Sequence, residues 1–393
     1  MGEFQRPVFG PTNHCLPGRW HLTAWREKAL TGIGPPLPLC GVTFRQWRRL
    51  MALYGAEIDS PYRLRAVATT FWSLLNSACS WYEDRLYADK VARTPIKPPI
   101  IILGHWRSGT THLHNMLALD DRFAYPNTYE VLYPHTFLST EATCSRLVSF
   151  FLPRTRPMDQ VRVSFQAPNE EEYATCSMTL HSPYVGFVFP RHQATYDPLL
   201  TFRGVPDDIV AEWKAAMALF VRKLTWKYNR PLVLKSPPNT CRIKLLLELF
   251  PDARFIHIHR NPFKVFKSTY HWLWTTAPWF NLQRPCFDSL KDYVLRTYRQ
   301  MYEIFFEERS LIPAGHYHEI GFEELEARPV DQMRRLYESL DLPDFGHVEP
   351  AVKQYLESLG GYKKNSLPNL CPELRKEIAS EWRRCFEEWG YPT

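Results

Sequence analysis

Residues 98–117 constrain this chain more than any other stretch. The apolar run Ile100-Ile101-Ile102-Leu103 ends in a glycine-bounded turn, Gly104-His105-Trp106-Arg107-Ser108-Gly109-Thr110-Thr111, which runs into a helix-like segment from His112 to Leu117. A buried strand, a tight loop and a helix N-terminus in that order aim backbone N–H groups at one point, where the helix dipole favours an anion. The spacing Gly104-x-x-x-x-Gly109-Thr110-Thr111 is that of a phosphate-binding loop. In an NTPase, lysine follows the second glycine to reach a terminal phosphate, and the next hydroxyl holds Mg²⁺. Here Thr110 takes the lysine's place and the cation lies inside the loop as Arg107. Such a loop is suited to a 5′-phosphate and poorly equipped for ATP with metal.

A second cluster follows another strand-like run, Ala253 to His259. Arg260-Asn261-Pro262 begins a helix, and Ser268 lies eight residues beyond Arg260, two turns into it. A guanidinium fork with a hydroxyl suits a phosphate dianion. In this order, each after a strand, the two clusters resemble the 5′-phosphosulfate loop and the 3′-phosphate site of the sulfotransferases that use PAPS (3′-phosphoadenosine 5′-phosphosulfate). Neither ATP nor GTP has a 3′-phosphate, so the second cluster separates PAPS from the nucleoside triphosphates.

Composition bounds the rest. Of 393 residues, 45% are hydrophobic and 15% aromatic, which describes a folded globular chain with ample material for a large core. A net charge of +7 is modest at this length and suits anionic ligands or surfaces, without indicating nucleic acid. Nine cysteines, an odd number without a Cys-x-x-Cys, read as free core thiols in a reducing compartment. The chain has neither an 18-residue apolar run nor an apolar leader, so we expect a cytoplasmic protein, membrane-associated at most through its surface.

Further strands are predicted at Pro231–Ser236 and His316–Ile320, with helices between. Strands alternating with helices predict an α/β fold of the P-loop NTPase-like three-layer type, built on a central parallel sheet. A sulfotransferase domain is expected over 98–393, preceded by a mostly helical extension over 1–97. In that extension, Leu64, Val67, Phe71, Leu74, Leu75, Ala78 and Tyr82 recur at steps of three and four, predicting an amphipathic helix from Pro61 to Lys90. Its apolar face is expected to pack on the catalytic part. The alternative is peripheral membrane contact, because nine Lys/Arg stand against four Asp/Glu up to Arg65. The segment from Phe123 to Phe137 reads as a loop, and Asn239 as a helix cap.

The resemblance implies residue roles. Arg107, Ser108, Gly109, Thr110 and Thr111 match the 5′ loop, with His112 next to it where the cytosolic branch has an adenine-stacking tryptophan. Arg260 and Ser268 match the 3′ site. Lys235 resembles the transition-state lysine of the protein-tyrosine branch, and Lys363 and Lys364 fall in a late Gly/Lys-rich segment that covers the cofactor. The family needs no metal. Three bases compete for the acceptor proton: Glu130, which resembles the glutamate after the loop helix in carboxylate-base members; His135; and the run Glu170-Glu171-Glu172. The pairs His112/His114, His257/His259 and His316/His318 have a spacing that could bind zinc, but without evident cysteine or acidic partners they read as structural. The acceptor is expected to carry a hydroxyl or amine on a small molecule, lipid or glycan. A P-loop kinase acting on a small molecule and a non-catalytic, membrane-associated nucleotide-binding protein are the alternatives.

Overall fold

The computed structural model describes residues 34–148, 164–285, 289–360 and 367–393. Among the described residues the first α-helices are α1 (Phe44–Tyr54) and α2 (Arg63–Ala92). Strand β1 (Ile100–Leu103) leads into α3 (Thr110–Leu117), then α4 (Thr128–Leu132), α5 (Phe137–Val148), α6 (Glu172–Thr179), α7 (Pro183–Val188), α8 (Gln193–Tyr196) and α9 (Asp207–Tyr228). After β2 (Val233–Lys235) come α10 (Ile243–Leu249), β3 (Arg254–His259), α11 (Pro262–Phe280) and α12 (Leu290–Glu308). Strand β4 (Tyr317–Gly321) precedes α13 (Phe322–Ala327), α14 (Pro329–Ser339), α15 (Glu349–Ser358), α16 (Pro372–Glu381) and α17 (Arg383–Glu388).

The four strands form one parallel sheet in the order β2-β1-β3-β4. Ile102 of β1 lies beside Lys235 of β2 and Ile256 of β3, and His259 pairs with Gly321. Alternate strand residues enter separate apolar cores. Ile101, Leu103, Leu234 and Phe255 face one core, while Ile100, Ile102, Val233, Ile256 and Ile258 face the other with Leu113 and Met116 of α3 and Leu336 of α14. Two cores on opposite faces make the expected helix–sheet–helix layering. The carboxyl ends of β1, β2 and β3 deliver the loop at Gly104, Lys235 and Arg260 to one edge, where ligands of such sheets bind.

Several expectations change. Residues 123–137 are not a plain loop, because Asn127 and Glu130 form a capping box that starts α4. Asn239 lies inside a 3₁₀ turn, Pro237–Cys241, and bonds Glu171 instead of capping a helix. The helix after Arg260 spans Pro262–Phe280. Helix α12 was not foreseen, though Val294, Leu295, Tyr298, Met301, Tyr302 and Phe305 carry helical spacing and are buried. Leu39, Trp47, Leu50 and Tyr62, N-terminal to the sheet, belong to its larger core.

The largest departure is α2. Its buried side chains are Arg65, Thr69, Ser73, Asn76, Glu83 and Val91. Its regularly spaced apolar residues point outward, with Leu64 74% and Val67 67% exposed. The inward face is held by polar contacts. Asn76 donates to the carbonyls of Cys40 and Val42, the Arg65 guanidinium donates to Asn281 O at 3.1 Å, and Lys223 pairs with Glu83 at 2.6 Å. None of the described helices is long and apolar enough to cross a membrane. The described cysteines are all unbridged.

Candidate active site

The loop between β1 and α3 owes its shape to two glycines and one strained arginine. Gly104 has φ +147°, and a Cβ there would lie 2.6 Å from Ile258 O. Gly109 has φ +107°, and its Cβ would collide with the Phe322 ring. Both positions therefore demand glycine. Arg107 adopts φ 72°, unusual for a residue with a side chain. Contacts on every side fix the turn. Gly104 N–H donates to Thr240 Oγ1 at 2.7 Å, His105 N–H to the Tyr302 hydroxyl at 3.3 Å, and Ser108 N–H to His105 O at 3.1 Å.

Arg107, Ser268 and Arg260 meet at this loop. Arg107 Nε donates to Ser268 Oγ at 2.9 Å, and Arg260 Nη1 donates to Arg107 O at 3.2 Å. The Arg260 guanidinium lies 4.3 Å from the centroid of Phe322, the first residue of α13. Burial lowers the pKa of Arg260. Arg260 Nε and Ser108 Oγ are both buried without a hydrogen-bond partner. His112, one residue beyond the loop, stacks against Tyr355 of α15 with centroids 5.9 Å apart and planes 29° from parallel. Burial lowers its pKa, which favours a neutral ring. Lys363 and Lys364 lie outside the described residues.

The four acidic candidates have different surroundings. Glu130 is fully buried: Oε2 accepts from Asn127 N–H at 2.7 Å, while Oε1 accepts from Lys227 Nζ and the Tyr228 hydroxyl, both at 2.7 Å. Its carboxyl joins α4 to α9. Glu172 pairs with Arg242 at 2.7 Å and accepts from Ser182 Oγ at 2.6 Å. Glu171 accepts from Asn239 Nδ2 at 2.5 Å and Lys235 N–H at 2.9 Å, and burial raises its pKa to about 7. Glu170 faces the crevice. Its Oε1 accepts from Lys235 Nζ at 2.8 Å and its Oε2 from the Tyr184 hydroxyl at 2.6 Å. That hydroxyl accepts from Trp106 Nε1 at 3.2 Å, linking Glu170 to the loop between β1 and α3. His135 is half-buried with its Nε2 atom enclosed, and desolvation lowers its pKa to about 4.

Beside the loop opens a cavity of about 370 Å³, lined by Phe187, Trp272, Leu273, Ala277, Phe280 and Tyr293, with Arg191, Asp197 and Arg296 also on its wall. A smaller pocket shares Phe187, Trp272, Leu273 and Tyr293 with it and reaches His105 and Trp106. Trp106 stacks on Trp272, with centroids 6.0 Å apart and planes 17° from parallel. One loop residue thus touches both the carboxylate network and the cavity floor.

The family model for sulfotransferases matches residues 98–346. The chain belongs to the sulfotransferase family. Over 371 residues, 94% of each chain, it is 37% identical to omega-hydroxy-beta-dihydromenaquinone-9 sulfotransferase Stf3 of Mycobacterium bovis, and the Mycobacterium tuberculosis protein of the same name matches equally. Among solved structures, sulfotransferase STF9 from Mycobacterium avium has a TM-score of 0.68 at 19% identity, covering 93% of this chain and 96% of its own. Sulfotransferase STF1 from Mycobacterium tuberculosis gives 0.63 at 17%, covering 91% and 97%. These two likenesses concern the fold. The protein is therefore a sulfotransferase enzyme, and the kinase and non-catalytic readings give way.

This sulfotransferase brings together Arg107, Ser108, Arg260 and Ser268, as the sequence suggested. Lys235 stands beside Glu170, while Glu130 and His135 lie in the packing between α4, α5 and α9. The Tyr184 and Trp106 contacts with Glu170 and Trp272 were not foreseen. A signal did exist in Trp106: a bulky side chain in a tight glycine-bounded loop needs a reason.

Proposed function

We propose that this enzyme moves the sulfuryl group of PAPS to the hydroxyl of an apolar, lipid-like acceptor. The observation that carries the donor assignment is the contact of Arg107 with both Ser268 and Arg260, which joins a 5′-phosphate loop to a 3′-phosphate clamp. Two polar atoms at this point, Ser108 Oγ and Arg260 Nε, lack protein partners. A bare buried polar group costs about 1–3 kcal/mol, so ligand oxygens stabilise both. Ser268 Oγ already accepts from Arg107, which leaves its hydroxyl hydrogen for a phosphate oxygen. The stacked His112 and Tyr355 rings flank the loop helix where an adenine would lie.

In the transfer, Glu170 is the base. It takes the acceptor proton as the acceptor oxygen attacks sulfur. The bond from sulfur to the bridging oxygen breaks, and that oxygen leaves with its electron pair on the 5′-phosphate of PAP. Lys235 and Arg107 offset the charge gathering there. These side chains and the loop N–H groups supply the positive charge themselves, so we assign no metal to the step. The acceptor class follows from the aromatic lining of the cavity, its reach to Trp106, and the relative that acts on a hydroxylated dihydromenaquinone.

Calorimetric titration with PAP, ADP and 5′-AMP in metal-free buffer tests the donor. PAP should bind at least tenfold more tightly than the other two. Equal binding of ADP would mean that the 3′-phosphate is not read, and the donor assignment would fall.

A further inference from the structure

The outward face of α2 has no part in the chemistry above, yet this helix carries nine of the fourteen large hydrophobic residues exposed among the described residues. Leu64, Val67, Phe71, Leu74, Leu75, Trp81, Tyr82 and Leu86 are all exposed, and steps of three, four and seven residues join them into one stripe. No charged residue occurs from Ala66 to Tyr82. A helix that only filled space on a domain would turn this face inward. Here polar contacts hold the helix the other way round: on the opposite face Asn76 holds the carbonyls of Cys40 and Val42, and at the border of the stripe Thr70 Oγ1 accepts from Trp47 Nε1 and Ser77 Oγ from Phe44 N–H. The stripe is thus held outward. Contiguous apolar surface of this extent marks an interaction site.

We propose that this face seats the enzyme on an anionic lipid bilayer. Three observations select that occupant. First, α1 borders the stripe, because Thr70 and Ser77, which bond it, flank Leu74 along the helix. Its exposed side carries Arg45, Arg48 and Arg49, and its sequence has no acidic residue. Cations beside an apolar stripe complement an anionic surface. Second, the stripe includes Trp81 and Tyr82, and the Arg85 guanidinium lies 3.8 Å from the Trp81 ring centroid. Aromatic rings with arginine suit the boundary between headgroups and acyl chains. Third, the start of α2 is tied to the acceptor cavity. Arg65 bonds the carbonyl of Asn281, and Asp59, just upstream, pairs with Arg191 at 3.4 Å; Asn281 and Arg191 both line the cavity. Seating α2 on a bilayer therefore brings the cavity close to the lipid, so that a lipid-borne hydroxyl need not cross water. This last point rests on the acceptor reading above; the seating itself does not.

The test is co-sedimentation of the full chain with vesicles of phosphatidylcholine alone or with 30 mol% phosphatidylglycerol, about one lipid in three, a range in which polybasic surfaces respond to charge. It is run without donor or acceptor. Binding should require the anionic lipid and weaken with salt. The variant Val67→Ser/Phe71→Ser/Leu75→Ser should lose at least tenfold in vesicle affinity, while its far-ultraviolet circular dichroism and its PAP affinity stay unchanged. No binding by the natural chain, or equal binding by the variant, overturns the proposal. So does a dimer in light scattering that the same variant dissociates, since a second copy would then occupy the face. Vesicle binding that persists when the enzyme fails to sulfurylate any apolar alcohol would sink the acceptor reading and leave the seating intact.

Discussion

Two lysine–glutamate contacts of nearly equal length occupy different regions of this molecule. At the sheet edge Lys235 meets Glu170 at 2.8 Å; in the seam between α4 and α9 Lys227 meets Glu130 at 2.7 Å. Length does not distinguish them, but the remaining partners do. Glu130 spends its second oxygen on the backbone of its own helix cap and shares its first with Tyr228, so no face is left for a substrate. Glu170 keeps 17% of its side chain exposed and reaches the phosphate loop through Tyr184 and Trp106. The lesson is that a carboxylate's role follows from what surrounds the pair, which neither spacing nor pair geometry records.

The two carboxylates should therefore respond oppositely to the same change. Glu170→Gln removes the proposed base and should lower kcat about 10²- to 10⁴-fold with PAP affinity retained. Glu130→Gln leaves the crevice intact and should keep kcat within about threefold, at a cost in stability of about 1–3 kcal/mol. Steady-state kinetics and urea midpoints on the two variants separate the readings. Loss of turnover in the Glu130 variant alone would return the base to α4.

These two regions also mark how far the sequence could be read. The four strands were legible because an apolar run bounded by turns has few other readings, and the turn between β1 and α3 because Gly104 and Gly109 have no substitutes at their φ angles. Arg260 and Ser268 stood out because the arginine leaves a strand and the serine lies two turns into the next helix, and the structure brings both to Arg107. Glu130 drew attention by lying soon after the loop helix, but a capping box uses the same residue type at the same place. Glu170 could not be separated from its two neighbours, because only the fold sends Glu171 and Glu172 inward to Asn239 and Arg242. The period of α2 was read correctly and its direction was not. A repeat of 3.6 fixes that a helix has two faces, and long-range partners decide which one is buried.

The seam around α2 offers the next strongest contrast. Lys223 and Glu83 form a buried pair, and burial lowers the lysine's pKa. Glu83→Ala would strand that ammonium and should cost about 3–5 kcal/mol in urea unfolding. In Lys235→Ala the partly open Glu170 remains hydrated, so the cost should fall mainly on kcat. If Glu83→Ala unfolds no more easily than the natural protein, the polar side of α2 is not what fixes its orientation.

Arg260→Ala should weaken PAP binding about 10- to 100-fold, the worth of one or two charge-assisted hydrogen bonds, and leave 5′-AMP binding nearly unchanged. Equal losses for both ligands would place Arg260 on the 5′ side and merge the two phosphate sites into one.

The smallest effect is expected at His135, which belongs to the structural region. Its folded pKa of about 4 lies below the usual 6.5 because burial, aided by the Lys223 charge, disfavours the imidazolium. The unfolded chain therefore binds more protons than the native one between those values. Stability from this residue is present in full above pH 6.5 and is lost as pH falls toward 4. His135→Gln should flatten the fall in urea midpoint over that window while kcat at pH 7.5 stays within about threefold. A base at His135 would behave otherwise: the variant would lose turnover at every pH. Its Nε2, buried without a partner beside α9, is then the signature of a histidine that packing keeps neutral, whereas Glu170 is held charged-side outward by a lysine and a tyrosine at the mouth of the loop.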